Sequence, residues 1–181
     1  MKLLDKKVVL KTYPFNVEEL NLSIKDRVLP HPYYRLDCPD WVNVLPITHD
    51  NKAILIRQPR AGNLMNVLET PGGVVNQGER DMTMATVREL EEETGFTSRR
   101  ILPLASLNPN PAIMNNTCHF FLAMNCEPAN PRTFFPDADE SIELEVYGVE
   151  ELEHLVRSGQ INHSLSALCI MLAAKYIKIS Y

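Results

Sequence analysis

The chain has 181 residues, of which 45% are hydrophobic, with a formal net charge of −5 and a pI near 5.5. That length suits one domain with a small extension, and the apolar content is enough for a proper core. The acidic balance argues against a general nucleic-acid binder, although an acidic chain still takes a polyanion where metal ions carry the local positive charge.

In chain order, residues 1–36 read as an appendage without a chemical motif. The opening MKLLDKKVVLK holds no apolar stretch long enough for a signal peptide. Residues 7–13 alternate loosely like a strand, residues 21–27 suggest a second one, and Pro30, His31, Pro32, Tyr33 and Tyr34 make a linker. Trp41–Thr48 and residues 53–58 are apolar strands joined by the turn His49-Asp50-Asn51-Lys52, a hairpin. Gln58-Pro59-Arg60 then leaves the sheet with polar groups exposed. Arg57 and Arg60 are either solubilising surface or phosphate contacts, which planar guanidinium suits. Trp41, the only tryptophan, is either core or a stacking platform at a site. Residues 63–69 form a short strand that enters Thr70-Pro71-Gly72-Gly73.

Helix start signals follow at Asp81 or Thr83, and a good helix runs to Thr94, where Gly95 stops it. Met82, Thr86 and Leu90, with Val87, make its buried stripe. Four glutamates fill five positions of its second half: Glu89, Glu91, Glu92 and Glu93. Helical spacing puts Glu89, Glu92 and Glu93 on one face and Glu91 elsewhere. Like charges so spaced are destabilising unless neutralised, and a hard divalent cation on carboxylate oxygens would neutralise them. The plainer reading is a solvated acidic face. Against it stand Gly72-Gly73 and Gly78, whose backbone can approach a ligand closely, and Arg88, which can pair with a carboxylate such as Glu79.

Beyond the helix, residues 101–107 are a strand and Asn108-Pro109-Asn110-Pro111 a stiff loop. Residues 118–124 are a buried strand with His119 as a core histidine. Residues 125–141 are long for a connection and carry Pro128, Pro131 and Pro136, then Asp137, Asp139 and Glu140; they are either a functional lid or an acidic surface loop. A strand at 142–149, a helix at 150–158 stopped by Gly159 and an amphipathic helix over Ser164–Ile177 complete the chain. The longest apolar run, near 165–174, is too short to span a bilayer. Cys38, Cys118, Cys126 and Cys169 form no CxxC pair and no zinc spacing, which suits scattered reduced thiols in a cytoplasmic protein.

The stretch from Gly72 to Phe96 resembles the Nudix box, G-x5-E-x7-R-E-U-x-E-E-x-G-U with U apolar. Gly73, Glu79, Arg88, Glu89, Leu90, Glu92, Glu93, Gly95 and Phe96 fill all nine specified positions. The one departure is that eight residues, not seven, separate Glu79 from Arg88. Strand pairs around a loop–helix box, closed by a helix, fit the α/β Nudix fold, an α/β/α sandwich with a mixed sheet. The resemblance spans about 41–176, so a division into an N-terminal β extension (1–36) and a Nudix hydrolase domain (37–181) is expected.

ILIRQPR followed by LETPGG is similar to the V-R-Q-Y-R and E-L/V-P-A/G-G segments of ADP-ribose and nucleotide-sugar pyrophosphatases, with Pro59 in place of the tyrosine. Pro111 stands sixteen residues past Gly95, a spacing that marks ADP-ribose hydrolases, and VRSGQINHSLSALCIMLA resembles their closing pattern. That resemblance implies hydrolysis of the diphosphate of a nucleoside diphosphate sugar, ADP-ribose first, with Mg2+ or Mn2+. Glu89 and Glu93 would hold the ions, Glu92 would be shared and the Gly72 carbonyl would complete the set. Arg88 and Glu92 would serve catalysis and Glu140 would be the base. Trp41, Arg57, Arg60, Glu69 and Pro111 would line the substrate site. The charge, the thiol pattern and the short apolar run together lead us to expect a cytoplasmic enzyme with no nucleic-acid or membrane partner. Strand-forming runs in 1–36 without a helix need a partner, either the main domain or, as in the resembled branch, a second copy in a homodimer. A ligand-binding regulator that keeps the fold without turnover is the other reading; a damaged carboxylate set would favour it, and this set is complete.

Overall fold

Strand-forming runs dominate the chain, and turn chemistry decides where they fold back. The structure, a computed structural model, describes residues 1–136 and 141–177. It divides into two compact units, Met1–Asp40 with Leu107–Cys118, and Trp41–Ser106 with His119–Tyr181.

The first unit is built on β1 (Lys2–Lys11), β2 (Asn16–Ile24), β3 (Arg27–Val28) and β4 (Tyr33–Asp37). β2 is central and antiparallel to the other three. Lys25 and Asp26 both take positive φ, 48° and 62°, which turns the chain tightly between β2 and β3. The strand expected at 21–27 is therefore a strand end, a turn and a short return. The linker expected at 30–34 also differs: Tyr33 and Tyr34 belong to β4, where aromatic side chains suit the pleated surface, and the Tyr34 hydroxyl donates to Glu19 across the pair at 2.9 Å. The proline loop joins this unit through backbone and asparagine contacts. Leu36 N–H donates to the Ile113 carbonyl at 2.7 Å, Asn115 Oδ1 accepts from Cys38 N–H at 2.9 Å, and Thr117 N–H donates to Asp40 at 2.7 Å.

Glu18 on β2 is only 1% exposed and would be costly to bury alone. Lys6 donates to it from β1 at 2.8 Å and Arg35 from β4 at 2.8 Å. The Lys6 bond holds its carboxyl below the ordinary carboxylate range, burial works against that shift, and Arg35 adds to it.

The second unit holds β5 (Trp41–Thr48), β6 (Lys52–Arg60), β7 (Met65–Glu69), β8 (Gly72–Val74), α1 (Met82–Thr94), β9 (Phe96–Thr97), β10 (Arg100–Leu107), β11 (Cys118–Pro128) and β12 (Glu143–Gly148). A 3-10 turn at Val149–Glu151, α2 (Leu152–Arg157) and α3 (Ser164–Ile177) follow. The large sheet runs β10-β11-β5-β6-β12, with β7 on β6, β8 on β5 and β9 on β11. Alternate residues bury on opposite faces. Val42, Val44, Ile54, Phe121 and Ala123 cluster with Ala85 and Leu90 of α1. Leu45, Ile47, Leu55, Phe120 and Leu122, the intervening positions, are buried on the other face, and α3 packs against β5. This is the expected α/β/α sandwich. Among the described residues no helix is long and apolar enough to cross a membrane.

Three features of this unit place the box. β8 lies flat on β5, with Gly72 opposite Asn43 and Gly73 opposite Val42, and a Cβ on Gly72 would come within 2.3 Å of the Val42 carbonyl. Asp81 caps α1 by accepting from Thr83 N–H at 2.8 Å. Gly95 ends the helix at φ 71°, donating to the Glu91 carbonyl at 2.9 Å. The apolar stripe runs through Ala85 and Leu90, with Met82 packed beside it and Val87 only half-buried.

Replacing Glu18 by Gln should lower stability by about 1–3 kcal/mol at neutral pH. A depressed carboxyl stabilises above its unfolded value and loses that contribution as pH falls through the folded value. Denaturant melts at neutral pH and well below the ordinary carboxylate range should therefore show the gap between wild type and variant closing at the lower pH. An equal gap at both pH values would contradict the ion-pair account.

Candidate active site

Four carboxylates and one guanidinium in a short stretch must find each other or water. Here Arg88 gathers three of the carboxylates. Its Nη1 donates to Glu89 Oε1 and to Glu92 Oε2, both at 2.8 Å, and its Nη2 donates to Glu79 Oε2 and to the Val74 carbonyl, both at 3.1 Å. Burial disfavours the Arg88 charge, but Glu79, Glu89 and Glu92 outweigh it and hold the guanidinium above its ordinary value. The like-charge strain expected of this helix face is thus relieved by the helix's own arginine. Glu79 reaches Arg88 despite the extra residue between them, because Asn76 and Glu79 close a turn on each other: Glu79 N–H donates to the Asn76 carbonyl at 3.0 Å and Asn76 N–H to Glu79 Oε2 at 3.1 Å.

The glycine pair meets the same face. Glu93 Oε2 accepts from Gly72 N–H at 2.7 Å. A Cβ on Gly73 would lie 2.6 Å from Glu89 Oε2, so a larger residue there would push that carboxylate out of its present position. Carboxylate and backbone oxygens are the donors a hard divalent cation takes, so the residue types fit such an ion. As placed, the side chains are engaged with Arg88 and Gly72 N–H. Among the described residues, no three acidic, histidine or cysteine side chains are gathered to hold a metal ion.

Residues 40–166 match the NUDIX domain. The chain belongs to the Nudix family. Over 174 residues it is 28% identical to an ADP-ribose pyrophosphatase of Bacillus subtilis (strain 168), an alignment covering 94% of this chain and 93% of that one. It is 25% identical over 173 residues to a methanol dehydrogenase activator of Bacillus methanolicus, covering 93% and 92%. The crystal structure of an ADP compounds hydrolase superposes with a TM-score of 0.81 at 23% identity, covering 98% of this chain and 94% of that one. The protein is a Nudix hydrolase.

The Nudix helix does more than carry the box face. Glu91, which the helical spacing turns away from the other glutamates, is buried and accepts from the backbone N–H of Thr133 and, at 3.0 Å, of Phe134. Arg132 answers from the same segment, donating to the carbonyls of Glu91 at 3.1 Å and Glu92 at 2.8 Å in the last turn of the helix, where a cation meets the negative end of the helix dipole. It also lies 4.9 Å from the Phe135 ring centre. The sequence offered only one signal for this clamp: a glutamate off the metal face and an arginine in the long connection.

The other sequence-singled residues fall in separate places. Arg57 pairs with Glu145 of β12, whose carboxylate also accepts from the Tyr147 hydroxyl; Glu145 holds Arg57 above its ordinary value, and Arg57 holds Glu145 below its own. Arg60, three residues on, instead makes a two-pronged pair with Glu69, Nε to Oε1 at 2.9 Å and Nη2 to Oε2 at 2.7 Å. These two line a cavity of about 260 Å³ with Gly62, Asn63, Val67, Asn162 and His163. Trp41 is half-buried opposite Val74, next in register to the glycine pair. Pro111 is exposed in the first unit. Glu140 lies outside the described residues. His119 meets Ser106 Oγ through Nδ1 at 2.8 Å. Burial pushes the Cys118 and Cys126 thiols up to about 12, which keeps them protonated at neutral pH.

Replacing Glu91 by Ala leaves two buried amides without their acceptor. The expected cost is about 1–3 kcal/mol, with faster hydrogen exchange at Thr133 and Phe134. Unchanged melting together with unchanged exchange at those amides would show that the clamp does not form.

Proposed function

We propose that this Nudix hydrolase cleaves the diphosphate of nucleoside diphosphate sugars, ADP-ribose foremost, to a nucleoside monophosphate and a sugar phosphate, using Mg2+ or Mn2+. The observation that carries the reading is the complete box carboxylate set, aligned by Arg88 beside the Gly72-Gly73 strand. The name of the relative from Bacillus subtilis supports the substrate class.

A diphosphate is strongly anionic, so its charge must be balanced before water attacks phosphorus. Nudix hydrolases generally use divalent ions, and such an ion supplies Lewis acidity and lowers the pKa of water. Glu89, Glu92, Glu93 and the Gly72 carbonyl would hold it. Arg88 keeps Glu89 and Glu92 oriented. Glu140 takes the proton of the attacking water; the new P–O bond forms as the bridging P–O bond breaks. Arg57 and Arg60 provide countercharge, Glu69 fixes Arg60 and Trp41 offers a stacking face.

A second reading, a nucleotide-sugar-binding regulator without turnover, takes its support from the relative named methanol dehydrogenase activator. Phosphate-coupled assays over ADP-ribose, ADP-glucose and GDP-mannose, with and without Mg2+, separate the two. The expected result is Mg2+-dependent turnover, greatest with ADP-ribose. In that assay Glu93→Gln should lose most activity while still folding, and Glu140→Gln should lower kcat far more than KM. Binding without turnover across the panel would leave the regulator.

We also propose a cytoplasmic homodimer formed through the division at residues 1–36. Edge strand β1 supports it, because Leu3, Leu4, Val8, Val9 and Leu10 are 41–56% exposed, an apolar row that soluble edges avoid. Light scattering should give twice the chain mass of 20.6 kDa, and Leu10→Glu should shift it toward monomer. A monomeric wild type with full activity would remove the dimer and leave the hydrolase.

A further inference from the structure

His163 was one residue in a resembled pattern, but the fold gives it specific company. Its carbonyl accepts from Ala167 N–H at 3.0 Å, which makes it the residue that opens α3. Its Nδ1 lies 3.2 Å from Glu69 Oε2 and 2.9 Å from Ser166 Oγ. Ser166 is fully buried and accepts from Thr70 N–H at 3.0 Å. Glu69 is 1% exposed and takes both prongs of Arg60. The chain of contacts therefore runs Arg60, Glu69, His163, Ser166, Thr70, from the cavity wall to the segment just before the glycine pair.

Nδ1 stands between two oxygens, Glu69 Oε2 and Ser166 Oγ, so a proton on Nδ1 is shared between them. With the imidazole neutral, the cluster of Arg60, Glu69 and His163 carries no net charge. A second proton on the ring makes it +1. The charged groups facing the imidazole, among the described residues, are Glu69 from β7 and Arg60 from β6; its other neighbours on the cavity wall, Asn162 and Asn63, are neutral, as is Ser166 of α3.

We propose that His163 is a positioning residue of this cavity and sets its charge: neutral, it steadies the Glu69 carboxylate under Arg60, and protonated, it gives the cavity a net positive charge that tightens its hold on an anionic ligand, the diphosphate of a nucleotide sugar. The identity of that ligand rests on the substrate reading above; the charge change does not. Burial lowers the proton affinity of the imidazole below its ordinary value, Glu69 opposes that and Arg60 reinforces it. The ring is thus neutral at physiological pH and gains its charge on acidification. The same shift makes folding less favourable there, since the unfolded chain binds the proton more readily.

Calorimetry on the full chain, with ADP-ribose as probe and a chelator to prevent turnover, tests this. The ADP-ribose diphosphate has no group that titrates in the relevant range, so the pH dependence belongs to the protein. Wild type should bind about five-fold more tightly at pH about 5.5 than at about 7.5. His163→Leu should bind more weakly at both. His163→Asn keeps a donor where Nδ1 stands and is itself a good helix opener, so it should recover most of the affinity lost in His163→Leu at the higher pH and show no pH difference. Turnover with Mg2+ should follow the same series in KM, with kcat little changed. Mg2+-dependent ADP-ribose hydrolysis with a flat wild-type affinity, or an Asn variant that keeps the pH difference, overturns the role of His163 and leaves the hydrolase. The His163 pattern seen with GDP-mannose in place of ADP-ribose retains that role and corrects the substrate. No binding of any nucleotide sugar overturns both.

Discussion

One partly buried guanidinium organises the second unit around the box. Arg88 spends four hydrogen bonds on three glutamates and a strand carbonyl, joining the loop at Glu79, the strand at Val74 and two turns of α1. Removing a charge from water costs several kcal/mol unless partners surround it, and removing one partner from such a group leaves an uncompensated charge. The box face and the box arginine are therefore not independently variable. A helix with three glutamates on one side is tolerable because an arginine lies among them, and the arginine is tolerable in its buried position because the glutamates surround it.

The remaining glutamates extend the same logic to the backbone. Glu93 takes Gly72 N–H and Glu91 takes the N–H groups of Thr133 and Phe134, so one helix fastens a strand on one side and a connection on the other. Four acidic residues in five positions look redundant in the sequence. In the fold, Glu89 and Glu92 meet Arg88, Glu93 meets the glycine strand, and Glu91 meets the segment after β11. Across the one-residue excess Glu79 still reaches Arg88, from the turn that it closes with Asn76.

What the sequence revealed and what it hid divide along range. Asp81, Gly95, the turn at 49–52 and the span of α3 act on neighbours a few residues away, and local chemistry settled them. The sandwich and the box face followed from periodicity and from the resemblance. β4 was hidden because its pairing with β2 is long-range, and a Pro-rich approach looks like a linker from within. Glu91 was hidden because its partners lie more than forty positions on. Arg57 and Arg60 looked alike on paper. Strand register sends one to Glu145 and the other to Glu69, a difference only the sheet order can supply.

Glu69 and Glu89 show how context gives one residue type two chemistries. Each is a buried carboxylate held by an arginine, Glu69 by Arg60 and Glu89 by Arg88. Around Arg88 the partners are further carboxylates, so the box face carries a negative excess and offers a ready set of hard oxygen donors. Around Arg60 the third member is an imidazole, so that cluster is neutral and becomes positive with one proton. Both sets are held in place by bonds within the fold before any ligand arrives. Side chains already ordered in the free protein lose less freedom on binding, so more of the contact energy is left for affinity. On the proposed reading the acidic face would take cations and the protonated cavity anions, and a phosphorylated sugar with its counter-ions presents both.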